Sequence, residues 1–543
     1  MNRSTTRSRI ATALLASALL VTGCASADSD DDRDADGTSS GSSGLSKEEI
    51  YTAGVVGVAD DEGEPKRGGT LTLADYSEAR SLDPTKTIPN GAAGGNALAA
   101  VYDVLMRYDQ TSDSFEPHLA ESLTTEDDVT WTLTLRDGVT FSDGSPVDAA
   151  AVVGSLGYYM ANAGYNTLLL ATNIKDMRPE GDATVVFTLN QPWKTFPNML
   201  ASGPGMVMAP SAYAGGPEAF EPVGAGPFVL DSYQPAEELV LAANPDYWGG
   251  APNLDELRFV WLGSDDARLE SLADGTVDAA NIRAPQTVEK ARNDGFGGIM
   301  APSGLAAMFW LNNREGRAAS DVRVRQAINH AIDPAVYAER VNGGAGLPGR
   351  NIYSPSAPYY ADVETSDHDL EKAKSLLAEA KADGYDGTLT YIGQSDQASQ
   401  TGAVTIQAML EAAGFTVKTD LLRNIADQTQ RIYVTHDYDL AVSAMSIPDE
   451  DPYSRLATNL VGASPQNPSG YANPEMDELI AELQGADGDE ATALLTRINE
   501  LWQETVPGVA MGAGAFFQPW NDDVHGITST SETLMLFGDA WKG

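Results

Sequence analysis

The chain has 543 residues, and its 78 Asp and Glu against 34 Lys and Arg give a formal net charge of −44, a field that repels nucleic acid and acidic lipid head groups and favours solubility. Cys24 is the only cysteine, so disulfides and cysteine-built metal sites are excluded and stability must come from a large core. A chain of this length exceeds the size at which one core stops growing, which predicts two or more lobes.

The N-terminus reads as an export signal. Arg3, Arg7 and Arg9 precede an apolar run from Ile10 to Val21, too short to span a bilayer as a helix. Val21-Thr22-Gly23-Cys24 then resembles the bacterial lipobox, in which the cysteine is diacylated and the chain is cut just before it. The expectation is a signal over 1–23 and an extracytoplasmic protein held at the cell membrane by lipid on Cys24. No later segment has the uninterrupted apolar length of a membrane span. Residues 24–65 read as a disordered tether: Asp28 to Asp36 is mostly aspartate, Gly37 to Gly44 is Gly, Ser and Thr, and Asp60 to Glu64 is acidic again. Some 40 flexible residues reach roughly 35 Å. A short helix over Ser46 to Thr52 has no obvious partner to pack on.

Beyond residue 65 both periodicities are present. Thr70–Leu73, Thr130–Leu135 and Thr184–Leu189 have strand composition. Ser320 precedes a predicted helix reaching about Ile332. Leu370, Ala373, Leu377 and Ala380 share a helical face, and Gly384 can end that helix in a left-handed turn. Asn473-Pro474 is a cap followed by a residue suited to the first helical position. Interleaved strands and helices make the class α/β or α+β, with no internal repeat.

Three strings imitate chemical motifs and fail on context. Asp32 to Gly37 copies half of a calcium loop, but position twelve is Ser43, where a bidentate Glu is needed. Gly37-Thr38-Ser39-Ser40-Gly41 has the nucleophile-elbow pattern without its strand and helix. Gly344 to Gly349 fits a dinucleotide fingerprint, yet it follows a helix and contains Pro348, so it reads as a loop. The five histidines are scattered and form no metal-ligand pair. Nothing argues for catalysis, a metal or a cofactor.

From residue 67 onward, ordered blocks carry a resemblance: GGTLTLA (68–74) with SLDP (81–84), VYDVLMRYD (101–109), FEPHLAESL (115–123) and WTLTLRDGVTFSDGSPVDAAAVVGS (131–155). VGAGPFVL (223–230), NPDYWGGAPNLDEL (244–257), DVRVRQAINHAID (321–333) and YANPEMDELI (471–480) follow. The set resembles the family 5 solute-binding proteins of ATP-driven importers, the dipeptide and oligopeptide-binding type. Within these blocks Asp137-Gly138 and Asp143-Gly144 read as turns bracketing a strand over Val139 to Ser142.

The resemblance implies a two-lobed α/β periplasmic-binding-protein-like fold. Lobe I takes 66–302 plus 507–543, with an extra subdomain near 105–220, and lobe II takes 303–506. A monomer that closes around a ligand and is read by an importer permease is implied, with no enzyme activity. Candidate ligand contacts are Tyr76, Ser77 and Arg80 after the first strand, Trp310 and Asn312 at the start of lobe II, Arg423, Met445, Ser446, Asp449 and Asp451 in the 443–454 loop and its surroundings, and Trp520 on the return. For Trp310 and Trp520 core packing is an equal alternative, and for Arg423 an exposed surface role is the plainer one. Peptide-binding members carry an aspartate for the peptide's ammonium three residues after a Gly-Trp pair. Alignment on Asp451-Pro452 puts Met445 at the tryptophan and Pro448 at the aspartate. Asp449, one residue later, can substitute if the loop shifts; otherwise the ligand lacks a free amine and is a sugar, a metal chelate or a siderophore. A secreted lipoprotein hydrolase is the reading from a different class.

Overall fold

This computed structural model describes residues 44–59, 63–91 and 93–543; the signal, Cys24 and the first half of the tether lie outside the described residues. Two long strands, Gly297–Leu311 and Gly508–Trp520, run antiparallel through the middle of a 13-stranded sheet. They are rich in Gly and Ala and buried along nearly their whole length, the pattern of strands covered on both faces. On one flank Thr70–Asp75 lies parallel to Glu256–Trp261 and Ala279–Ala280. On the other, Thr388–Gln394 lies parallel to Thr416–Leu422 and Leu440–Ser443. Two parallel half-sheets joined by an antiparallel pair bear out the α/β class.

The pairing of the long strands slips between Ser303 and Ala307. Beyond the slip, Met308 and Trp310 enter one core with Leu71, Leu305 and Trp502. Phe309 and Leu311 enter another with Ile328, Leu377 and Tyr391, the alternation a strand imposes. The predicted strands Thr130–Leu135 and Thr184–Leu189 form in a separate four-stranded antiparallel sheet with Ala120–Thr125 and Ile174–Glu180.

The predicted helices form for the expected local reasons. Leu370–Ala382 is capped by Asp369 and buries Ala373, Leu377 and Ala380, with Gly384 at φ +107° beyond its end. Pro474–Leu483 starts under Asn473, whose side chain accepts from the N–H groups of Glu475 and Met476. Asp321, rather than Ser320, caps the helix Val322–Ala331. The strand expected at Val139 to Ser142 shrinks to a single bridge between Thr140 and Pro146, because the flanking turns consume its backbone groups: Gly144 N–H bonds Phe141 O and Phe141 N–H bonds Ser145 O. Leu347–Pro348, within the dinucleotide-like string, pairs with the second long strand at Gly512. A Cβ at Gly512 would stand 2.1 Å from Leu347 O, so only glycine permits that approach.

The tether expectation needs correction at its C-terminal end. Lys47–Ile50 is a helical turn with a capping box between Ser46 and Glu49, and Gly54–Val56 adds a strand beside Gly298–Met300. Ile50, Tyr51 and Val56 are buried with Val288, Met300 and Phe517. Glu289 gathers Lys47 Nζ, Tyr51 Oη at 3.1 Å and the Gly346 N–H at 2.8 Å. Composition alone marks this stretch as unable to fold; a ready apolar groove overrides it.

Candidate functional site

The turn after Leu440–Ser443 is pinned at both ends. Leu305, in the slipped part of the first long strand, and Ser446 have φ of +47° and +49°, uncommon for residues with a side chain. Leu305 O accepts from the N–H groups of Met445 and Ser446 at 3.0 and 3.3 Å, and Ile447–Pro448 pairs with Ser303–Gly304. At the far end Asp451 caps the helix Pro452–Asn459 and accepts from Thr195 Oγ1 at 2.9 Å and Asn198 Nδ2 at 2.8 Å. Between these anchors stand Asp449 and Glu450.

Both acids keep some accessible surface, yet both carboxyls are strongly raised. Desolvation, then the neighbouring Glu450 charge, pushes Asp449 up to about 8. Desolvation, with Glu532 nearby, pushes Glu450 up to about 7. Each carboxyl is thus mostly withdrawn from water while keeping some accessible surface, and this desolvated surround is the chamber. Asp449 Oδ1 has no donor, and Oδ2 lies 3.5 Å from Ser356 Oγ. Glu450 Oε1 accepts from the Glu532 N–H at 3.2 Å.

The adjoining wall is an ion pair with aromatic neighbours. Arg455 Nη2 donates to both carboxylate oxygens of Glu532 at 2.8 and 2.7 Å, and Nη1 donates to Tyr165 Oη at 2.7 Å. The two side chains are 15% and 14% exposed. Tyr433 is 37% exposed although desolvation raises its hydroxyl. The loop before the Gly95–Tyr102 helix joins here, with Gly91 N–H on Glu532 O at 3.0 Å. Aromatic faces with a few fixed polar groups are what an enclosed solute site requires.

The structure divides the candidates. Asp449 stands in the chamber, while Trp310 and Met445 are buried in the core. Asp451 is a structural cap. Asn312 is fully buried and braces the backbone carbonyls of His436 and Tyr438. Trp520 is core, opposite Gly297 in the sheet. Arg423 is exposed at the end of its strand, Arg80 is exposed, and Ser77 is half-buried. Tyr76 and Ser446 line a different cavity of about 780 Å³. Ala307 belongs to that cavity and packs with the core of Phe309, while Trp310 enters the other core. Sequence reasoning missed Tyr165, Tyr433, Glu450, Arg455 and Glu532. Glu450 and Arg455 flank the turn already singled out and Tyr433 shortly precedes it; Glu532 and Tyr165 reach Arg455 from 77 and 290 positions away and leave no local signal. Among the described residues no group of three potential metal ligands forms, and no helix is long and apolar enough to cross a membrane.

The model of the bacterial extracellular solute-binding proteins, family 5 (middle), matches residues 114–467. The chain is 28% identical over 432 residues to the probable D,D-dipeptide-binding periplasmic protein DdpA of Escherichia coli, covering 76% of this chain and 81% of that protein. It is 28% identical over 508 residues to heme-binding protein A of Haemophilus influenzae, covering 87% and 92%. The periplasmic binding protein DppA of Helicobacter pylori, solved with the peptide STSA, matches with a TM-score of 0.74 at 24% identity, covering 88% of this chain and 98% of that one.

Proposed function

This chain belongs to family 5 of the bacterial extracellular solute-binding proteins, and from that premise we propose that it is a membrane-tethered receptor enclosing a peptide-like solute in the chamber beside Asp449 and delivering it to an ATP-driven import permease. The observation that carries the ligand class is Asp449 itself: a desolvated carboxyl whose Oδ1 lacks a donor. An ammonium group supplies both the missing donor and the counter-charge, and its own desolvation is offset only where such a carboxylate waits for it. Closure around the solute needs no covalent chemistry, so the role is that of a receptor and not an enzyme.

Calorimetry with a pool of short peptides tests this reading. Free-amine peptides are expected to bind and their N-acetylated forms to bind at least about tenfold more weakly. Because an ammonium lowers the Asp449 carboxyl, binding at pH 7 also releases about one proton, read as a heat that changes with the buffer. Equal binding of acetylated and free peptides would remove the amine anchor. A response only to sugars, metal chelates or siderophores would assign the chamber to a non-peptide solute, the reading that Pro448 in the usual aspartate position favours.

The anchor is proposed to be lipid on Cys24. Cys24→Ala is expected to abolish incorporation of labelled fatty acid and release the protein from membranes. Acylated protein in that variant would exclude the lipobox.

A further inference from the structure

The folded end of the tether crosses between the two half-sheets at one edge of the cavity of about 780 Å³. Tyr76 and Gly263, in the cavity lining, follow strands of the first half-sheet, whereas Gln394 ends and Ala444 follows strands of the second. On the receptor reading given above, admitting a solute moves one half against the other.

Glu289 is the junction. It stands on the helix Pro285–Asn293, which buries Val288 and Ala291 with Ala74 and Leu272 in the core of the first half. The loop at 343–346 hangs from the helix Pro334–Asn342, whose Tyr337 packs on Phe309 and the core of the second half. Glu289 Oε1 accepts from the Gly346 N–H of that loop at 2.8 Å, and from Lys47 Nζ and Tyr51 Oη of the tether. Lys47 Nζ also donates to Gly344 O at 3.3 Å, so one ammonium holds both sides. Parting the halves forfeits that bond and the Gly346 bond together.

The rest of the tether end is fixed to the first half. Gly54–Val56 pairs with Gly298–Met300, Leu45 N–H donates to Asn293 Oδ1 at 3.0 Å, and Ile50 and Tyr51 are buried in the same core as Val288. Desolvation, then the Glu289 charge, pushes the Tyr51 hydroxyl well up, so it stays a donor. The Lys47 side chain is 44% exposed, and an ion pair so placed adds little to overall stability. What it does is bias one arrangement of the halves over another, because its second bond exists only when Gly344 is near. The approach is close: a Cβ at Gly346 would stand 3.2 Å from Pro285 Cβ.

We propose that residues 45–58 are a clasp that favours the closed arrangement of the two half-sheets before any solute binds, and that opening requires loss of the Lys47 and Gly346 contacts. The proposal rests on the receptor reading for the motion itself and adds the segment that controls it.

Nitroxide labels read the separation of the halves by pulsed electron resonance. They are placed by Glu270→Cys, exposed on a helix of the first half, and Val404→Cys, exposed on a helix of the second. The full chain carries Cys24→Ala, so that these are its only thiols. A mainly short distance is expected without ligand. Lys47→Met should raise the ratio of long to short distances at least about fivefold. Adding Tyr51→Phe should raise it further, and Lys47→Arg should keep the short distance. A pool of free-amine dipeptides and tripeptides should return the opened variants to the short distance. A distribution unchanged by both Lys47→Met and the double substitution overturns the clasp, as does a mainly long distance in the protein with Lys47 and Tyr51 intact. Opening in the variants that peptides fail to reverse would uphold the clasp and count against a peptide-like solute. Peptide-driven shortening in a protein indifferent to Lys47→Met would do the reverse.

Discussion

The surroundings of Asp449 and the cavity beside Arg283 arrange their polar groups in opposite ways. Around Asp449, polar groups are numerous, desolvated and locked to one another: Asp451 to Thr195 and Asn198, Glu532 to Arg455, Arg455 to Tyr165. The cavity is lined by a mix of small, aromatic and acidic residues around an open volume, with one cation seated on an aromatic ring. The chamber is therefore a site whose stability and recognition share the same residues. In the cavity Arg283 is exposed, and its packing partner is the Tyr76 ring.

Removing the chamber's ion pair should give the largest effect. Arg455→Ala leaves Glu532 buried without a counter-charge, and breaking such a pair costs about 3–5 kcal/mol. Denaturant titration is expected to show that loss, with Arg455→Lys recovering part of it. By contrast, Arg283→Gln in the cavity should leave the denaturation midpoint unchanged. An equally large loss at Arg283 would erase the distinction between chamber and cavity.

Next in size is the folded end of the tether, which shares a core with Phe517 and Ala515 on the cavity side. Ile50 is 2% exposed there, and truncating a buried isoleucine to alanine costs about 2–5 kcal/mol where the site cannot collapse. At the edge of a sheet the low end, about 2 kcal/mol, is expected for Ile50→Ala. No change would mean that residues 45–58 detach in solution and that the composition of the stretch, after all, decides its state.

Most of the scaffold is legible in the sequence because its signals are local. Asn473-Pro474 and Asp369 mark helix starts through their own side chains, and alternation marks Thr130–Leu135 and Thr184–Leu189. The site is legible only where it stays local, at Asp449 and its turn. What could not be read is long-range. Nothing in Tyr165 or Glu532 announces that Arg455 will lie between them, and nothing in Ile50 or Tyr51 announces the groove made by Val288, Met300 and Phe517. Trp310 and Trp520 show the opposite failure: an aromatic residue looks the same in sequence whether it walls a site or fills a core, and both of these fill the core.

Asp449→Asn should weaken binding of a free-amine peptide at least tenfold, about 1.4 kcal/mol, as read by calorimetry. The smallest effect expected is the pH dependence of the unliganded protein. An unfolded carboxyl titrates near 4, whereas Asp449 is raised to about 8 and Glu450 to about 7. Between those limits the folded state retains protons that the unfolded state has lost, so these two groups lower stability as pH rises from about 4 to about 8 and add nothing further above it. The buried Asp75, pushed up to about 7 by desolvation, adds to the same slope. Asp449→Asn with Glu450→Gln should therefore raise the melting temperature more at pH 8 than at pH 5, and flatten the profile between them. A peptide carrying an ammonium should flatten it in the same direction in the wild type, since the charge it brings removes the reason for the raised carboxyl. If the double substitution leaves the slope untouched, the chamber is wet enough to ionise both acids freely, and Asp449 loses the feature that singles it out as the anchor.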